Sequence, residues 1–283
     1  MSDEDEDENE DDGDDPFTAD GGRIVVEHSL GGYLWSGRQL RPRERKLLVV
    51  VKDFPYATGK EILDQWFRYE TPGIAPLAYL GYPDGLNPNA DELREMRKRG
   101  QSAPALLAEF VPEGTPLSEA VPLTEAELVR LGLALCDTAI GWIERRGSAS
   151  DGFRPETIYL TGENGAREYA GATVRIFSLV GNGDVDQTFP ATFYGSPLAH
   201  SKFELDAEDI AFVVALVLWF GATGEHAYRH HHHVDQPRPP FRGHPDLGEL
   251  LAAALDQDDR MSVQRLRDAL VRLAERWSVA PGR

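Results

Sequence analysis

The sequence predicts an α+β fold in which the strands come first and the helices follow. Runs rich in β-branched residues occur up to residue 111, and after Thr124 the apolar residues recur with helical spacing. Strands and helices that are segregated along the chain are typical of an α+β domain, whereas alternating βαβ units would indicate a parallel sheet. The 283 residues are enough for a large core and for one or two domains.

The N-terminal part contains predicted strands and one predicted helix. The strands are expected at residues 23–27, 47–52, 74–81 and 106–111. The helix is expected over residues 59–69, because Thr58 is a good N-cap and Pro72 followed by Gly73 would stop it. The polar insert at residues 83–102 is expected to face solvent.

The C-terminal part is predicted to be mostly helical. Thr124 and Glu127 form a capping-box pattern ahead of a long helix that ends near Arg146. A short strand pair is expected at residues 157–160 and 173–177, with residues 162–171 as the turn. Further helices are expected from Asp209 to about residue 221 and at residues 247–255 and 262–277. The apolar run at 210–220 is shorter than the roughly twenty residues that cross a bilayer.

Acidic side chains are concentrated at the N-terminus. Of the net charge of −19, the first fifteen residues contribute eleven acidic side chains and no basic one, which leaves −8 on the rest. Because such a block repels itself and has nothing apolar to bury, residues 1–20 are expected to be a disordered acidic tail. The alternative is an acidic arm that binds a basic partner surface. We expect no basic cluster in the body, which argues against nucleic acid as a partner.

The composition also indicates the compartment. Cys136 is the only cysteine and lies in an apolar, helix-like stretch, so no intrachain disulfide can form and a reducing compartment fits. The acidic N-terminus lacks the apolar core of a signal peptide. We therefore expect a cytoplasmic protein that does not bind membranes.

Several motifs resemble those of protein kinases. Residues 151–160 read Asp-Gly-Phe-Arg-Pro-Glu-Thr-Ile-Tyr-Leu, which resembles the catalytic loop His-Arg-Asp-Leu-Lys-Pro-Glu-Asn-Ile-Leu-Leu. Residues 49–52 resemble the Val-Ala-Ile-Lys strand, 71–74 the His-Pro-Asn-Ile turn, 108–117 the hinge and 258–262 the late Asp-Pro-x-x-Arg-Pro-Ser segment. The resemblance covers about residues 24–274.

The resemblance implies a two-lobed fold with a nucleotide site. Residues 21–111 would form a small antiparallel sheet with one main helix, and residues 112–283 a larger, mostly helical lobe. Lys52 would pair with the phosphates of ATP and with Glu61, for which Glu70 is the alternative. The backbone at Glu109 and Val111 would hydrogen-bond the adenine edge. ATP is thus a candidate cofactor, and Mg²⁺ is expected to bind weakly or not at all.

The charged groups that catalyse phosphoryl transfer in the family are missing. Gly152 stands where the family has its catalytic aspartate, Thr157 where it has a metal-binding asparagine, and Ser178 where it has the Asp-Phe-Gly aspartate. The segment at 31–37 does not reproduce the glycine-rich loop. We therefore expect a pseudokinase with no catalytic residue, which acts as a scaffold or allosteric regulator of a protein partner such as an active kinase.

Two alternatives stay open. An unconventional ATP-dependent kinase or transferase would use Lys52 with a displaced carboxylate, Asp151 or Asp184. An interaction module that binds no nucleotide would instead fill its cleft with Tyr33 or Trp35. The four consecutive histidines at 230–233 favour a solvated loop over a metal site.

Two further positions depend on the resemblance. Asp209 matches the aspartate at the start of the buried helix that braces the catalytic loop in kinases. Ser-Pro-Leu at 196–198 replaces the family's Ala-Pro-Glu, whose glutamate pairs with a late arginine. Arg260, at that arginine's position, is therefore expected to pair with Glu204 or with nothing.

Overall fold

The structure, a computed structural model, describes ten ranges of the chain. They are residues 16–31, 34–55, 70–85, 92, 95, 98–99, 102–146, 153–174, 205–228 and 237–277. At residues 31, 52–55, 102–105 and 146 the backbone alone is described. The predicted helix at 59–69 and most of the polar insert at 83–102 lie outside these ranges.

A six-stranded antiparallel sheet forms the N-terminal lobe. Its strands are β1 Phe17–Ala19, β2 Ile24–Gly31, β3 Leu34–Gln39, β4 Arg45–Pro55, β5 Leu77–Gly81 and β6 Ser102–Phe110, in the spatial order β1-β2-β3-β4-β6-β5. Alternate residues of the central strands, among them Val26, Val49 and Leu106, form a buried apolar cluster on one face. The predicted antiparallel sheet is therefore confirmed, with nine consecutive pairs joining β4 to β6.

Two strands of this sheet were not expected from the sequence. β1 lies inside the range 1–20 that the composition assigned to the acidic tail. This strand forms because the Phe17 ring packs edge-on against Trp35 at 5.6 Å and Ala19 is fully buried. β3 occupies most of the segment expected to be a degenerate glycine loop. Leu34 starts that strand, where it is buried opposite Val50.

Helices and a small sheet form the C-terminal lobe. The helices are α1 Leu117–Ala120, α2 Glu125–Arg146, α3 Ala207–Thr223, α4 Pro245–Ala254 and α5 Val263–Arg276, and the strands are β7 Thr115–Pro116, β8 Ile158–Thr161 and β9 Glu168–Ala172. Helix α3 is buried at every position from Asp209 to Thr223 and packs against α2, α4 and α5. Among the described residues no helix is both long enough and apolar enough to span a bilayer.

The partner of strand β8 differs from the prediction. It is β9 at Glu168–Ala172, ahead of the expected segment at 173–177, with Ile158 opposite Ala172. The chain reverses sooner because Gly162 and Gly165 adopt left-handed conformations, with φ of 91° and 88°.

A buried ion pair holds this hairpin against the start of α2. Glu127 and Thr124 form the predicted capping box, since each side chain accepts a hydrogen bond from the other's backbone N–H. The Glu127 side chain, 1% exposed, also accepts from the Arg167 Nε at 2.9 Å and from the Gly165 N–H at 2.8 Å. Burial alone would raise the pKa of Glu127, but hydrogen bonds from Arg167 and Thr124 outweigh it and lower the pKa to about 2.

The turn before β5 connects the two lobes. The Ala75 N–H donates to the Ala172 carbonyl at 2.8 Å, and the Ala172 N–H donates to the Gly73 carbonyl at 3.0 Å. The Tyr169 hydroxyl donates to the same Gly73 carbonyl at 2.5 Å. Gly73 has a φ of 81°, and a Cβ there would collide with the Thr138 hydroxyl. Only glycine fits this junction without displacing α2.

We expect Gly73→Ala to lower the free energy of unfolding by about 3 kcal/mol, because left-handed strain and a steric clash add together. Gly85→Ala is the matched control, since Gly85 has a φ of 82° and open space where the Cβ would lie. The control should cost about 1 kcal/mol, from strain alone. Urea unfolding followed by circular dichroism measures both, and equal losses would contradict a tight junction at Gly73.

We expect Glu127→Gln to lower the free energy of unfolding by about 3 kcal/mol at neutral pH, because Arg167 loses its buried counter-charge. The folded-state pKa of Glu127 lies below its ordinary value of 4.5, so the stabilisation is present above that pH and is lost as the pH falls towards 2. The difference between wild type and variant should therefore shrink below about pH 5.

The control for this pH series is Asp137→Asn, which removes an exposed carboxylate paired with Arg267. It should cost less than about 1 kcal/mol, as surface ion pairs do. Urea titrations at several pH values measure both variants. A Glu127→Gln penalty that stays constant down to the acid limit would show that the pair is not the source of the stability.

Candidate functional site

The candidate site lies where the two lobes meet. Strand β6 ends at Phe110, and residues 111–114, here called the linker, lead to β7. Glu109, near the end of β6, is fully buried and stands opposite Leu48 of β4. Lys52 is also on β4, where its backbone pairs with Ala105. The structure thus places Lys52 and Glu109 on two adjacent strands, and Val111 is the first residue of the linker.

The backbone donors next to the linker are already used within the protein. The Val111 N–H donates to the Lys46 carbonyl at 3.0 Å, and the Phe110 N–H donates to the Pro76 carbonyl at 3.1 Å. The next residue, Pro112, has no N–H to offer. The ring nitrogens on an adenine edge are acceptors, so they need such donors. Three consecutive residues at the expected hinge therefore present no N–H to a ligand.

Tyr159 is within electrostatic range of Glu109 and was not anticipated as a site residue. It is half-buried on β8, opposite Pro116 and Gly171. Burial raises the pKa of its phenol, and the nearby carboxylates of Glu119 and Glu109 raise it further. The signal in the sequence was one tyrosine within an otherwise aliphatic strand.

Thr157 holds together the turn that follows the catalytic-loop position. It is 1% exposed, and its hydroxyl accepts the Arg154 N–H at 3.0 Å while donating to the Arg154 carbonyl at 3.0 Å. A hydroxyl committed to both bonds is a poor ligand for Mg²⁺, which prefers carboxylates, phosphates and water. The side chain at the family's asparagine position therefore serves the local turn.

The same turn is fixed to helix α1. The Ser118 N–H, in the first turn of α1, donates to the Pro155 carbonyl at 3.1 Å. Glu156 is mostly buried, and burial raises the pKa of its carboxyl, an effect opposed by the positive charge of Arg154. Its Oε2 has no hydrogen-bond partner among the described residues. This carboxyl is the acidic group that the described part of the loop retains.

Several predicted site residues lie outside the described ranges. They are Glu61, Asp151, Gly152, Ser178, Asp184 and Tyr33. The Lys52–Glu61 ion pair and the displaced carboxylates therefore stay predictions. Glu70, the alternative partner of Lys52, is exposed just before the Gly73 turn.

Trp35 lies on the sheet face that points away from Glu109. It stands opposite Val49 and packs with Phe17 against the buried cluster of that face. Glu109 stands opposite Leu48, and neighbouring residues of a strand point to opposite faces. The expectation that Trp35 fills the cleft is therefore wrong, because the alternation along β3 and β4 directs it into the other core.

Arg260 neutralises the buried start of α3. Its Nη2 donates to Asp209 at 2.5 Å and to Asp206 at 3.3 Å, and its Nη1 lies 3.7 Å from Glu208. Asp209 itself is fully buried and also accepts the Asp206 N–H, which completes a second capping box. The expectation of Glu204 or no partner is thus corrected. Three carboxylates lie at the N-terminus of α3, and Arg260 contacts all of them.

Two of the described histidines have structural roles. The His244 Nδ1 accepts the Asp246 N–H at 3.2 Å and caps α4, and His226 stacks on Phe220. Among the described residues no group of three or more histidine, cysteine or acidic side chains is arranged to hold a metal ion. The histidines at 230–233 lie outside these ranges.

A small antiparallel sheet and a larger helical lobe, joined by one linker and organised around a buried helix, define a protein-kinase-like fold. No family profile matches the sequence, and no curated protein matches it significantly. Among solved structures, the chain is similar to the kinase domain of Mycobacterium tuberculosis PknI. A single mutant and a double mutant of that domain give TM-scores of 0.57 and 0.55 at 17% identity, covering 89% of this chain and 96% of theirs. The chain therefore has the two-lobed protein-kinase-like fold.

We expect Arg260→Ala to lower the free energy of unfolding by about 3–5 kcal/mol, because Asp209 would keep a buried charge without its partner. Arg265→Ala, at an exposed position in the first turn of α5, is the matched control and should cost less than about 0.5 kcal/mol. Thermal and urea unfolding measure both. If Arg260→Ala and the control were equally stable, the cluster at the start of α3 would have no part in the stability of the fold.

Proposed function

We propose that this chain is a pseudokinase, a catalytically inactive protein-kinase-like domain that acts as a scaffold or allosteric regulator of a protein partner in the cytoplasm. The observation that carries the proposal is that the backbone at the expected hinge has no N–H group left for a ligand. Phe110 and Val111 donate their N–H groups within the protein, and Pro112 has none. A kinase needs its nucleotide oriented before the phosphoryl group can be transferred.

The metal site supports the same proposal. Phosphoryl transfer depends on Mg²⁺ ions that neutralise the transferred group. Ser178 and Thr157 replace the two side chains that hold these ions in kinases, and the Thr157 hydroxyl is bonded on both sides to Arg154. Losing metal neutralisation would remove several kcal/mol of transition-state stabilisation.

The missing base supports it independently. Gly152 has no side chain with which to accept a proton from a substrate hydroxyl. General acid–base assistance is commonly worth about 10²–10⁴ in rate. With Gly152, Thr157 and Ser178 at these positions, the kinase-like fold lacks the side chains that catalyse phosphoryl transfer. A fold that no longer catalyses the reaction is suited to binding another protein.

ATP remains a candidate ligand that the hinge does not favour. Lys52, on β4, is the residue that the resemblance assigns to the phosphates, but residues 110–112 present no N–H to an adenine edge. We therefore expect nucleotide binding to be weak or absent. An unconventional kinase that uses Asp151 or Asp184 is the alternative, and the following experiment separates the two.

We expect millimolar ATP, alone or with Mg²⁺ or Mn²⁺, to shift the melting temperature by less than about 1 °C, whereas a ligand at 100 times its Kd would add about 2.7 kcal/mol. In a radiolabelled transfer assay, the wild-type chain should incorporate no more phosphate than the Lys52→Ala variant does. Lys98→Ala, at an exposed lysine paired with Glu95, controls for loss of a positive charge.

The outcomes distinguish the pseudokinase proposal from the unconventional kinase. Metal-dependent incorporation that Lys52→Ala abolishes and Lys98→Ala keeps would overturn the pseudokinase proposal, and its loss in Asp151→Ala or Asp184→Ala would identify the base. A metal-independent shift without incorporation would leave the pseudokinase proposal standing and would show that the hinge opens to admit nucleotide.

A further inference from the structure

The turn between β3 and β4 is the most basic segment of the described surface. Residues 38–46 contain Arg38, Arg41, Arg43, Arg45 and Lys46 against a single acidic residue, Glu44. We call these nine residues the basic turn. Residues 40–46 are all exposed. The expectation of a body without a basic cluster is therefore wrong here. The net charge of −8 on the body includes this one turn, in which five residues are basic and one is acidic.

Part of this charge is balanced within the fold. Arg38 lies 2.5 Å from Glu27 and 2.8 Å from Glu44, and Arg43 lies 3.2 Å from Glu113. The Arg45 guanidinium stacks 3.7 Å above the Phe110 ring and has no carboxylate partner there.

Two further cations add to the unbalanced charge. Arg41 and Lys46 have no ion-pair partner among the described residues. Three positive side chains of the basic turn, Arg41, Arg45 and Lys46, are therefore available to an anionic segment.

The basic turn lies against the linker between the lobes. The Lys46 carbonyl accepts the Val111 N–H, Arg45 covers Phe110, and Arg43 pairs with Glu113 of the linker itself. An occupant of the basic turn would therefore contact the outer side of the linker.

The acidic N-terminal segment begins close to this surface. Phe17 stands opposite Val26, and Val26 stands opposite Gly37, so β1 is two strands away from β3. With strands about 4.8 Å apart and a rise of about 3.4 Å per residue, the start of the basic turn lies roughly 10 Å from Phe17. Fifteen extended residues can span up to about 50 Å, so residues 1–15 can reach the basic turn.

We propose that residues 1–15, with their eleven carboxylates, bind the basic turn of the same chain. Opposite charges attract, and a short tether raises the effective concentration of the segment to about the millimolar range. Because these groups are exposed, salt with a Debye length of about 8 Å at physiological ionic strength weakens the contact. The proposal concerns the outer surface of the linker, so it does not depend on whether the chain transfers phosphate.

Zero-length carbodiimide cross-linking of the full chain tests this contact, because it joins carboxylates to lysine amines that touch. The chain has only five lysines, at 46, 52, 60, 98 and 202. At low salt we expect amide links between residues 1–15 and Lys46 to exceed those to exposed Lys98 at least about tenfold, and this excess should disappear in 1 M salt as screening shortens to about 3 Å. Mass spectrometry of the digested protein measures both ratios.

Paired charge reversals provide the control. Arg41→Glu with Arg45→Glu should reduce the Lys46 links at least about tenfold, because the remaining surface would repel carboxylates. Arg265→Glu with Arg272→Glu, at exposed positions of α5, changes the net charge equally and should leave the links unchanged. A mixture of isotopically labelled and unlabelled chains shows whether a link lies within one chain.

Several outcomes would overturn the proposal. Equal coupling to Lys46 and Lys98, links that survive in 1 M salt, or links mainly between different chains would each show that residues 1–15 do not occupy their own basic turn. Binding of a short oligonucleotide that the Arg41→Glu and Arg45→Glu variant loses, in the absence of tail links, would assign the surface to nucleic acid.

Discussion

The fold depends on the burial of helix α3. Every residue from Asp209 to Thr223 is buried, so α2, α4 and α5 are all organised around one apolar rod. The first N–H groups and last carbonyls of a helix have no partner within the helix, so both ends of α3 need caps. Asp206 caps the N-terminus, Gly224 in a left-handed conformation closes the C-terminus, and Arg260 balances the carboxylates of the first turn. The late segment around Arg260 is thereby tied to the centre of the lobe.

The two lobes are joined at several points besides the linker. The turn at Gly73 exchanges backbone hydrogen bonds with β9, and the Tyr169 hydroxyl adds a third bond from the hairpin. The same hairpin is held to α2 by the buried pair of Glu127 and Arg167. A set of polar contacts therefore runs from the turn before β5 through β9 to the start of α2.

Residues that would perform chemistry in a kinase here hold the backbone together. Thr157 closes the turn at Arg154, and Val111 extends the pairing of β4 with β6. Each of these groups can make its hydrogen bonds to the protein or to a ligand, and the protein uses them. This use supports the proposed pseudokinase function, because these hydrogen-bonding groups stabilise the fold and are not offered to a ligand.

The sequence by itself determined the α+β order, the capping box at Thr124 and the long buried helix after Asp209, because these depend on local spacing and composition. The replaced catalytic and metal-binding side chains at Gly152, Thr157 and Ser178 were equally visible, since each is an identity at a motif position. The position of β9, the partners of Arg260 and the face of Trp35 depended on contacts between residues far apart in the chain. Only the tertiary structure decided that the Val111 N–H donates to the Lys46 carbonyl, because strand register brings these groups together and no local pattern encodes it.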